Sequence, residues 1–423
     1  MTYHHFIDEL RWRDMIYNMT PQIETQLNHK MTVGYIGFDP TADSLHIGNL
    51  TAITLLMHLQ KASHKPIVLL GGATGMIGDP SGKSAERKFL SIDELNANLT
   101  CLQKQFSKFL DFDCGDHSAE IVNNYDWYKD INLLTFLREV GKHAPINHML
   151  ARDSVKNRIE TGISFTEFTY QLLQAFDFYW LNKNKNCKLQ MGGSDQWGNI
   201  TAGIDYCRRK DSIDVHGLTC PLLTKADGGK FGKTEEGNIW LDAKKTSVYK
   251  FYQFWINIDD KDISKLLRYF TLFKKDDIDA MEDEYKSDPN GLKRIIAKDI
   301  TTRVHSSELC DKVIQASTIL FGKSPIEAIE SIEDDMFSEI IESIPTQHFS
   351  RTECQPDQTI QIISQLYNIS KSETKRLIKG NGISINKEKL NLDRLTQPDS
   401  FSLLKQKYWL FQKGKQYALA RFE

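Results

Sequence analysis

Residues 31–72 read MTVGYIGFDPTADSLHIGNLTAITLLMHLQKASHKPIVLLGG, and the order of apolar and turn-forming residues in them decides the fold. Residues 31–37 make a short strand-like run that ends in the turn-rich FDPTADS. A helix is expected over about 45–62, and the apolar run KPIVLLGG at 65–72 is expected to be a buried strand. Strand, helix, strand is a βαβ unit, which requires a parallel sheet. Ligands of such sheets bind beyond the carboxyl ends of the strands. The two glycine-rich segments that follow these strands are therefore the first place to look for chemistry. A further buried strand is expected at 188–191, running into GGSDQWGN.

Outward from this core, residues 7–27 alternate at helical spacing and predict one amphipathic helix, while 248–321 is helical with aromatic and charged stretches interleaved. Residues 324–350 are acidic and carry no motif. The last segment changes character. Six Lys or Arg stand against two Glu within 371–389, and five basic residues stand with no acidic one within 403–422. The expected organisation is a Rossmann-like α/β catalytic domain at 1–225, a loop and linker at 226–247 and a helical domain at 248–323. A linker at 324–355 and a small α+β domain at 356–423 complete it.

With 423 residues, 40% of them apolar and 26% charged, the composition is that of a globular protein of two or three domains. A formal charge of −3 gives no global pull toward nucleic acid, so any RNA contact must come from a locally basic surface. Neither DNA nor a membrane is expected as a partner. The seven cysteines lack zinc-ligand spacing, which argues against a structural metal and against a disulfide framework. The start has no long apolar core, and the reading is a reduced cytoplasm.

Five segments carry chemistry. In the first, 41–49 (TADSLHIGN), Ser44 is expected to cap the helix. His46 and Gly48 then lie in its first turn, where free N–H groups favour phosphate. The second, 71–84, invites a P-loop reading that fails on spacing: position 77 is Ile where the motif needs Gly, and Pro80 removes a donor. A loop bringing Lys83 and Arg87 to a phosphate and an ordinary solvated basic loop both explain it. In the third, Tyr170, Gln174 and Asp177 fall at i, i+4 and i+7 on one helix face, as either a ligand-binding or a solvated stripe. The fourth, 190–199 (QMGGSDQWGN), follows a strand and places Asp195 where a ribose hydroxyl pair would be met, with glycines admitting the sugar. The fifth, 224–234 (TKADGGKFGKT), sets Lys230 and Lys233 in a glycine-rich stretch that reads either as a loop closing over a triphosphate or as an ordinary exposed turn.

Taken in order, these segments resemble the class I aminoacyl-tRNA synthetases. His46-Ile47-Gly48-Asn49 is similar to the HIGH signature, with Asn for the last His. Lys230-Phe231-Gly232-Lys233-Thr234 is similar to the KMSKS loop, with Phe-Gly for Met-Ser. The tyrosine-specific branch is indicated by residues 35–45, by 78–83, by Tyr170 through Asp177 and by 192–197. The resemblance implies that Tyr35 and Asp177 hold a phenol hydroxyl, that Asp79, Tyr170 and Gln174 hold an ammonium group, and that Gln190 and Gln196 line the pocket. It implies that Gly37, Asp39, His46, Gly48, Asn49, Gly193, Asp195 and Lys233 bind ATP. It assigns catalytic contacts to Thr41, His46, Lys83, Arg87, Lys230, Lys233 and Thr234. The implied substrates are L-tyrosine, ATP with Mg²⁺ on its phosphates, and tRNA(Tyr), in a homodimer.

The 356–423 segment resembles a small RNA-binding module named after a ribosomal protein, with Lys371, Lys375, Arg376 and Lys379 expected to meet tRNA; Lys387 stands where that pattern usually has Gly. A tryptophan-specific synthetase shares the fold, but Tyr35 with Asp177 suits a phenol better than an indole. An RNA-binding protein on a degenerate scaffold would have lost the catalytic groups, yet both signature segments keep their charged or polar members. A site that hydrogen-bonds a substrate hydroxyl rejects the analogue lacking it, because buried groups are left unpaired. Tyrosyl-tRNA synthetases are themselves the standard example, at roughly 10⁵-fold.

Overall fold

The computed structural model describes residues 5–81, 90–159, 162–224, 228–229, 231–234, 237–322, 325–342, 344–396, 401–414 and 416–423, without side chains at 153, 154, 157, 233 and 234. The chain divides into two compact units, 1–245 with 255–304 and 246–254 with 305–423.

The first unit is built on a six-stranded sheet of β1 (Asn18–Met19), β2 (Val33–Phe38), β3 (Lys65–Leu70), β4 (Glu120–Asn123), β5 (Cys187–Gly193) and β6 (His216–Cys220), in the order β1-β6-β5-β2-β3-β4. All neighbours run parallel except β1 on β6. The expected βαβ unit is there: helix Ile47–Lys61 crosses from β2 to β3. From β2 the chain builds toward β3 and β4 on one side, and later toward β5 and β6 on the other. The boundary between β2 and β5 is therefore the switch point at which a crevice opens. Strands buried on both faces read as continuous apolar runs, and β3 (KPIVLL) is such a strand. The 47–61 helix is buried over nearly its whole surface, which is why its sequence shows little amphipathic contrast.

Several expectations change. The single helix over 7–27 is two, Phe6–Trp12 and Ile23–His29. Asp14 and Gln22 take left-handed backbone between them, and residues 18–19 pair with β6 instead. The cap of the 47–61 helix is His46, whose N–H donates to Asn49 Oδ1 at 3.0 Å. Ser44 Oγ instead donates to Leu45 O.

The expected helical domain at 248–323 is divided. Helices Ile263–Phe270, Lys275–Glu284 and Pro289–Val304 pack with the first unit, while helix Ser307–Phe321 belongs to the second. The segment 324–355 is not a bare linker either. It forms helices Glu327–Glu330 and Asp334–Ile341 and a strand, Thr346–Phe349, that pairs parallel to Gln416–Phe422. Its acidic face conceals an apolar side made by Phe337, Ile340 and Ile341. The second unit ends in a five-stranded sheet covered by helices Thr359–Leu366 and Lys371–Lys379, around a core that includes Ile363, Ile378, Ile385, Trp409 and Phe411. Among the described residues no helix is long and apolar enough to cross a membrane.

Candidate active site

A cleft of about 670 Å³ opens beyond the carboxyl ends of β2, β5 and β6. Its closed end is formed by β2 and by helix Phe165–Lys185, which presents Tyr170, Gln174 and Asp177 to the cleft from successive turns. Tyr35 and Asp177 both line it and are buried, at 0% and 1% exposure. Asp177 is fixed from behind: Trp127 Nε1 donates to Oδ1 at 2.9 Å and Asn124 Nδ2 donates to Oδ2 at 3.1 Å. Burial outweighs these two donors and raises its carboxyl pKa to about 7. Burial, and then the nearby Asp177 charge, push the Tyr35 phenol well up.

Three polar atoms at this end, Tyr35 Oη, Gln174 Oε1 and Gln190 Oε1, are buried without a hydrogen-bond partner among the described residues. Each such atom costs about 1–3 kcal/mol when left unmet. A folded protein keeps several of them side by side where a ligand completes them.

Around the middle of the cleft, Asp79 accepts from Gln196 Nε2 at 2.8 Å, from Asn199 Nδ2 at 3.3 Å and from the Ser81 N–H at 3.0 Å. Tyr170 Oη donates to Asp39 Oδ2 at 2.9 Å, while Thr74 Oγ1 donates to the other oxygen at 2.8 Å. The Tyr170 oxygen keeps its lone pairs for an incoming donor, and burial raises its pKa too. Two carboxylates and a phenol oxygen thus surround one stretch of the cleft, an arrangement suited to an ammonium group.

The open end suits a nucleotide. Gly37 leaves clear space where a side chain would stand, since a Cβ there would meet nothing within 4 Å. At Gly193 a Cβ would lie 2.6 Å from Asp195 Oδ1, so glycine lets that carboxylate fold back along the strand end. The 47–61 helix points its first turn here, with Gly48 carrying no side chain over the backbone N–H groups. The fifth segment reaches the same place. The Ile47 N–H donates to Ile239 O at 2.9 Å, His46 pairs with Trp240 as an isolated antiparallel bridge, and a Cβ on Gly232 would lie 3.2 Å from Gly48 N. Phe231, beside the two lysines, is buried against Phe270 and Trp255 at ring distances of 5.7 and 5.8 Å. The two signature segments, nearly 200 residues apart in sequence, are thus neighbours.

All seven residues expected around an amino-acid substrate line the cleft: Tyr35, Asp79, Tyr170, Gln174, Asp177, Gln190 and Gln196. So do Thr41, Gly37, Asp39, His46, Gly48, Asn49, Gly193 and Asp195. Lys83, Arg87 and Lys230 lie outside the described residues, as do the side chains of Lys233 and Thr234. Asn49 serves first as the helix-capping acceptor for His46, so only its amide N–H₂ is left to face a ligand. Sequence reasoning missed Thr74, Asn124, Trp127 and Asn199, which hold the carboxylates in place. Asn124 and Trp127 were findable only as polar residues just past a strand end, at the edge where such sheets bind ligands.

Comparisons with known proteins agree with this geometry. The family of class I tRNA synthetases for tryptophan and tyrosine (W and Y) matches residues 27–322. A tyrosine–tRNA ligase of Cytophaga hutchinsonii is 50% identical over 99% of both chains, and one of Bacteroides thetaiotaomicron is 49% identical over 97% of this chain and 98% of its own. Among solved structures, a C-terminally truncated mitochondrial tyrosyl-tRNA synthetase of Aspergillus nidulans superposes with a TM-score of 0.67 at 29% identity, covering 75% of this chain and 94% of that one. Sequence, fold and cleft lead to one conclusion: this chain belongs to the tyrosine–tRNA ligase family of class I tRNA synthetases.

Proposed function

We propose that this chain activates L-tyrosine with ATP and transfers the tyrosyl group to the 3′ end of tRNA(Tyr). The observation that carries the reading is the buried, unpartnered Tyr35 hydroxyl at the closed end of a cleft that also holds the Asp177 carboxylate. A substrate phenol would donate its proton to Asp177 and accept from Tyr35, which completes both. Its ammonium group would lie among Asp79, Tyr170 and Gln174, with Gln190 and Gln196 closing the sides.

The substrate carboxylate is its own nucleophile. One of its oxygens attacks the α-phosphorus, an acyl–phosphate bond forms, and the bond to pyrophosphate breaks. The chain's task is therefore to hold the partners in line and to stabilise charge growing on the phosphates. The backbone at Gly48, His46, Thr41 and the Asn49 side chain are assigned to the nucleotide, with Gly193 and Asp195 at the ribose. Lys83, Arg87, Lys230, Lys233 and Thr234 are assigned to the departing pyrophosphate. Mg²⁺ would come with the nucleotide, held by its phosphates and neutralising their charge. In the second reaction the terminal ribose hydroxyl of tRNA attacks the tyrosyl carbonyl, and AMP leaves.

The exposed cations of helix Lys371–Lys379 are assigned to the tRNA backbone. Leu133, Leu134 and Ile146 are large apolar side chains left at 70%, 77% and 66% exposure, which supports a homodimer. Seven free thiols, four of them buried, are consistent with work in a reduced cytoplasm.

ATP–pyrophosphate exchange measured with each of the twenty amino acids tests the first reaction. Exchange with tyrosine alone is expected, and exchange driven by tryptophan instead would overturn the assignment.

A further inference from the structure

The hairpin that follows the basic helix contains a local conflict. Strands Ile383–Ile385 and Glu388–Lys389 are joined by only Asn386 and Lys387, at φ +46° and +68°. A two-residue hairpin turn of this kind requires left-handed backbone at both positions and favours Asn followed by Gly. Asn386 is the expected residue, and it is pinned: its side chain donates to Ser402 O at 2.7 Å and accepts from the Leu410 N–H at 2.8 Å. Lys387 is the unexpected one, since only glycine is at ease there. The same conflict recurs at Lys405 and Gln406, at φ +45° and +59°.

Each lysine reaches the segment before the module at its own point, Lys387 at the end of helix Ser307–Phe321 and Lys405 at residues 330–334. Lys387 Nζ donates to Ile319 O and, at 3.1 Å, to Gly322 O, two carbonyls at the end of helix Ser307–Phe321. Tyr417 Oη takes a third, Phe321 O, at 3.2 Å, with its ring edge-on to Phe321 at 4.9 Å. Lys405 Nζ donates to Glu330 O at 3.0 Å, Ile332 O at 2.7 Å and Asp334 Oδ1 at 2.9 Å. Helix ends leave such carbonyls without intrahelical partners, and their partial negative charge attracts cations. Strained backbone persists where surrounding contacts over-determine it, and here those contacts are the same carbonyls.

We propose that Lys387 and Lys405 are positioning residues that clamp the C-terminal module onto the helices before it. The clamp fixes the orientation in which helix Lys371–Lys379 presents its cations to tRNA. This rests on the assignment of that helix to tRNA and extends it. A fixed orientation of that helix removes the ordering cost a loose tether would impose on each binding event.

The test is the full-length double variant Lys387→Gly with Lys405→Gly. Glycine relieves the backbone at both turns, so the module keeps its fold while the clamp is removed. The expected result is unchanged pyrophosphate exchange, a KM for tRNA raised roughly tenfold, and a larger radius of gyration by small-angle scattering. An unchanged KM for tRNA with an unchanged radius would overturn the clamp. A parallel variant, Lys375→Ala with Arg376→Ala, separates the two ideas. If it weakens charging while the glycine variant does not, only the clamp fails. If it charges tRNA normally, the assignment of the helix to RNA fails.

Discussion

At the closed end of the cleft, Tyr35, Gln174 and Gln190 keep polar atoms buried and unmet, and Asp177 is held still by two donors behind it. On helix Lys371–Lys379 the reverse holds: Thr374 and Ile378 complete a small core, and Lys371, Lys375, Arg376 and Lys379 stand toward solvent. A small ligand is recognised by incomplete groups at buried positions, where each hydrogen bond counts heavily. A polyanion is recognised by completed structure carrying mobile charge in solvent, where each contact counts little and salt weakens it. The contrast predicts large, salt-insensitive effects in the cleft and small, salt-sensitive ones on the helix.

The largest effect is expected from Asp177→Asn. The carboxylate is removed, and an amide N–H₂ is turned toward Trp127 Nε1 or Asn124 Nδ2, both donors. Pyrophosphate exchange with tyrosine should fall by about 10–10² in kcat/KM, the scale of a missing charged hydrogen bond in a buried site. A change below tenfold would remove Asp177 from the site.

A pH effect follows from the same carboxyl, whose pKa burial raises to about 7. Its folded value lies above its ordinary one, so its contribution to stability is full below about 4 and is lost as pH rises to about 7. The free protein should therefore lose thermal stability across that window, and Asp177→Asn should flatten the slope. Under the role proposed for Asp177, substrate affinity runs the other way, because a phenol bound there would need a carboxylate to accept its hydrogen bond. The KM for tyrosine should rise several-fold between pH 8 and pH 6, roughly following the fraction of carboxylate. A KM flat over that range would contradict a neutral-range titration.

Next is Tyr35→Phe, expected to raise the KM for tyrosine about tenfold or less, the scale of one neutral hydrogen bond. Thermal stability should hold or improve, because the variant removes a buried unmet hydroxyl. The smallest effect belongs to Lys375→Ala with Arg376→Ala. It should give a few-fold rise in the KM for tRNA and a shallower dependence of charging on salt, by roughly one unit of log–log slope for each phosphate no longer neutralised. Equal salt dependence in variant and parent would place the RNA-binding surface elsewhere.

Much of this was legible in the sequence wherever chemistry and local periodicity coincide. The 33–38 strand, the helix after it, the 65–70 strand and the Tyr170–Gln174–Asp177 face all follow from spacing that a single element imposes. The partners that hold these groups were not legible. Asn124 and Trp127 reach Asp177 from a different strand end, about 50 residues away, and no local pattern announces that meeting. The same reason hid strand Thr346–Phe349, whose neighbour Gln416–Phe422 lies some 70 residues on, in a stretch that otherwise reads as an acidic connector. Periodicity also joined the helices at 6–12 and 23–29 into one, because left-handed Asp14 and Gln22 interrupt a pattern that burial alone would continue.

One comparison bears most directly on the cleft as a reader of the phenol hydroxyl. It is the ratio of kcat/KM for tyrosine to that for phenylalanine in pyrophosphate exchange, measured on the parent chain and on Tyr35→Phe with Asp177→Asn. Discrimination of several orders of magnitude in the parent should collapse toward unity in the double variant, mainly through a fall in activity with tyrosine. A double variant that still prefers tyrosine as strongly as the parent would contradict the account.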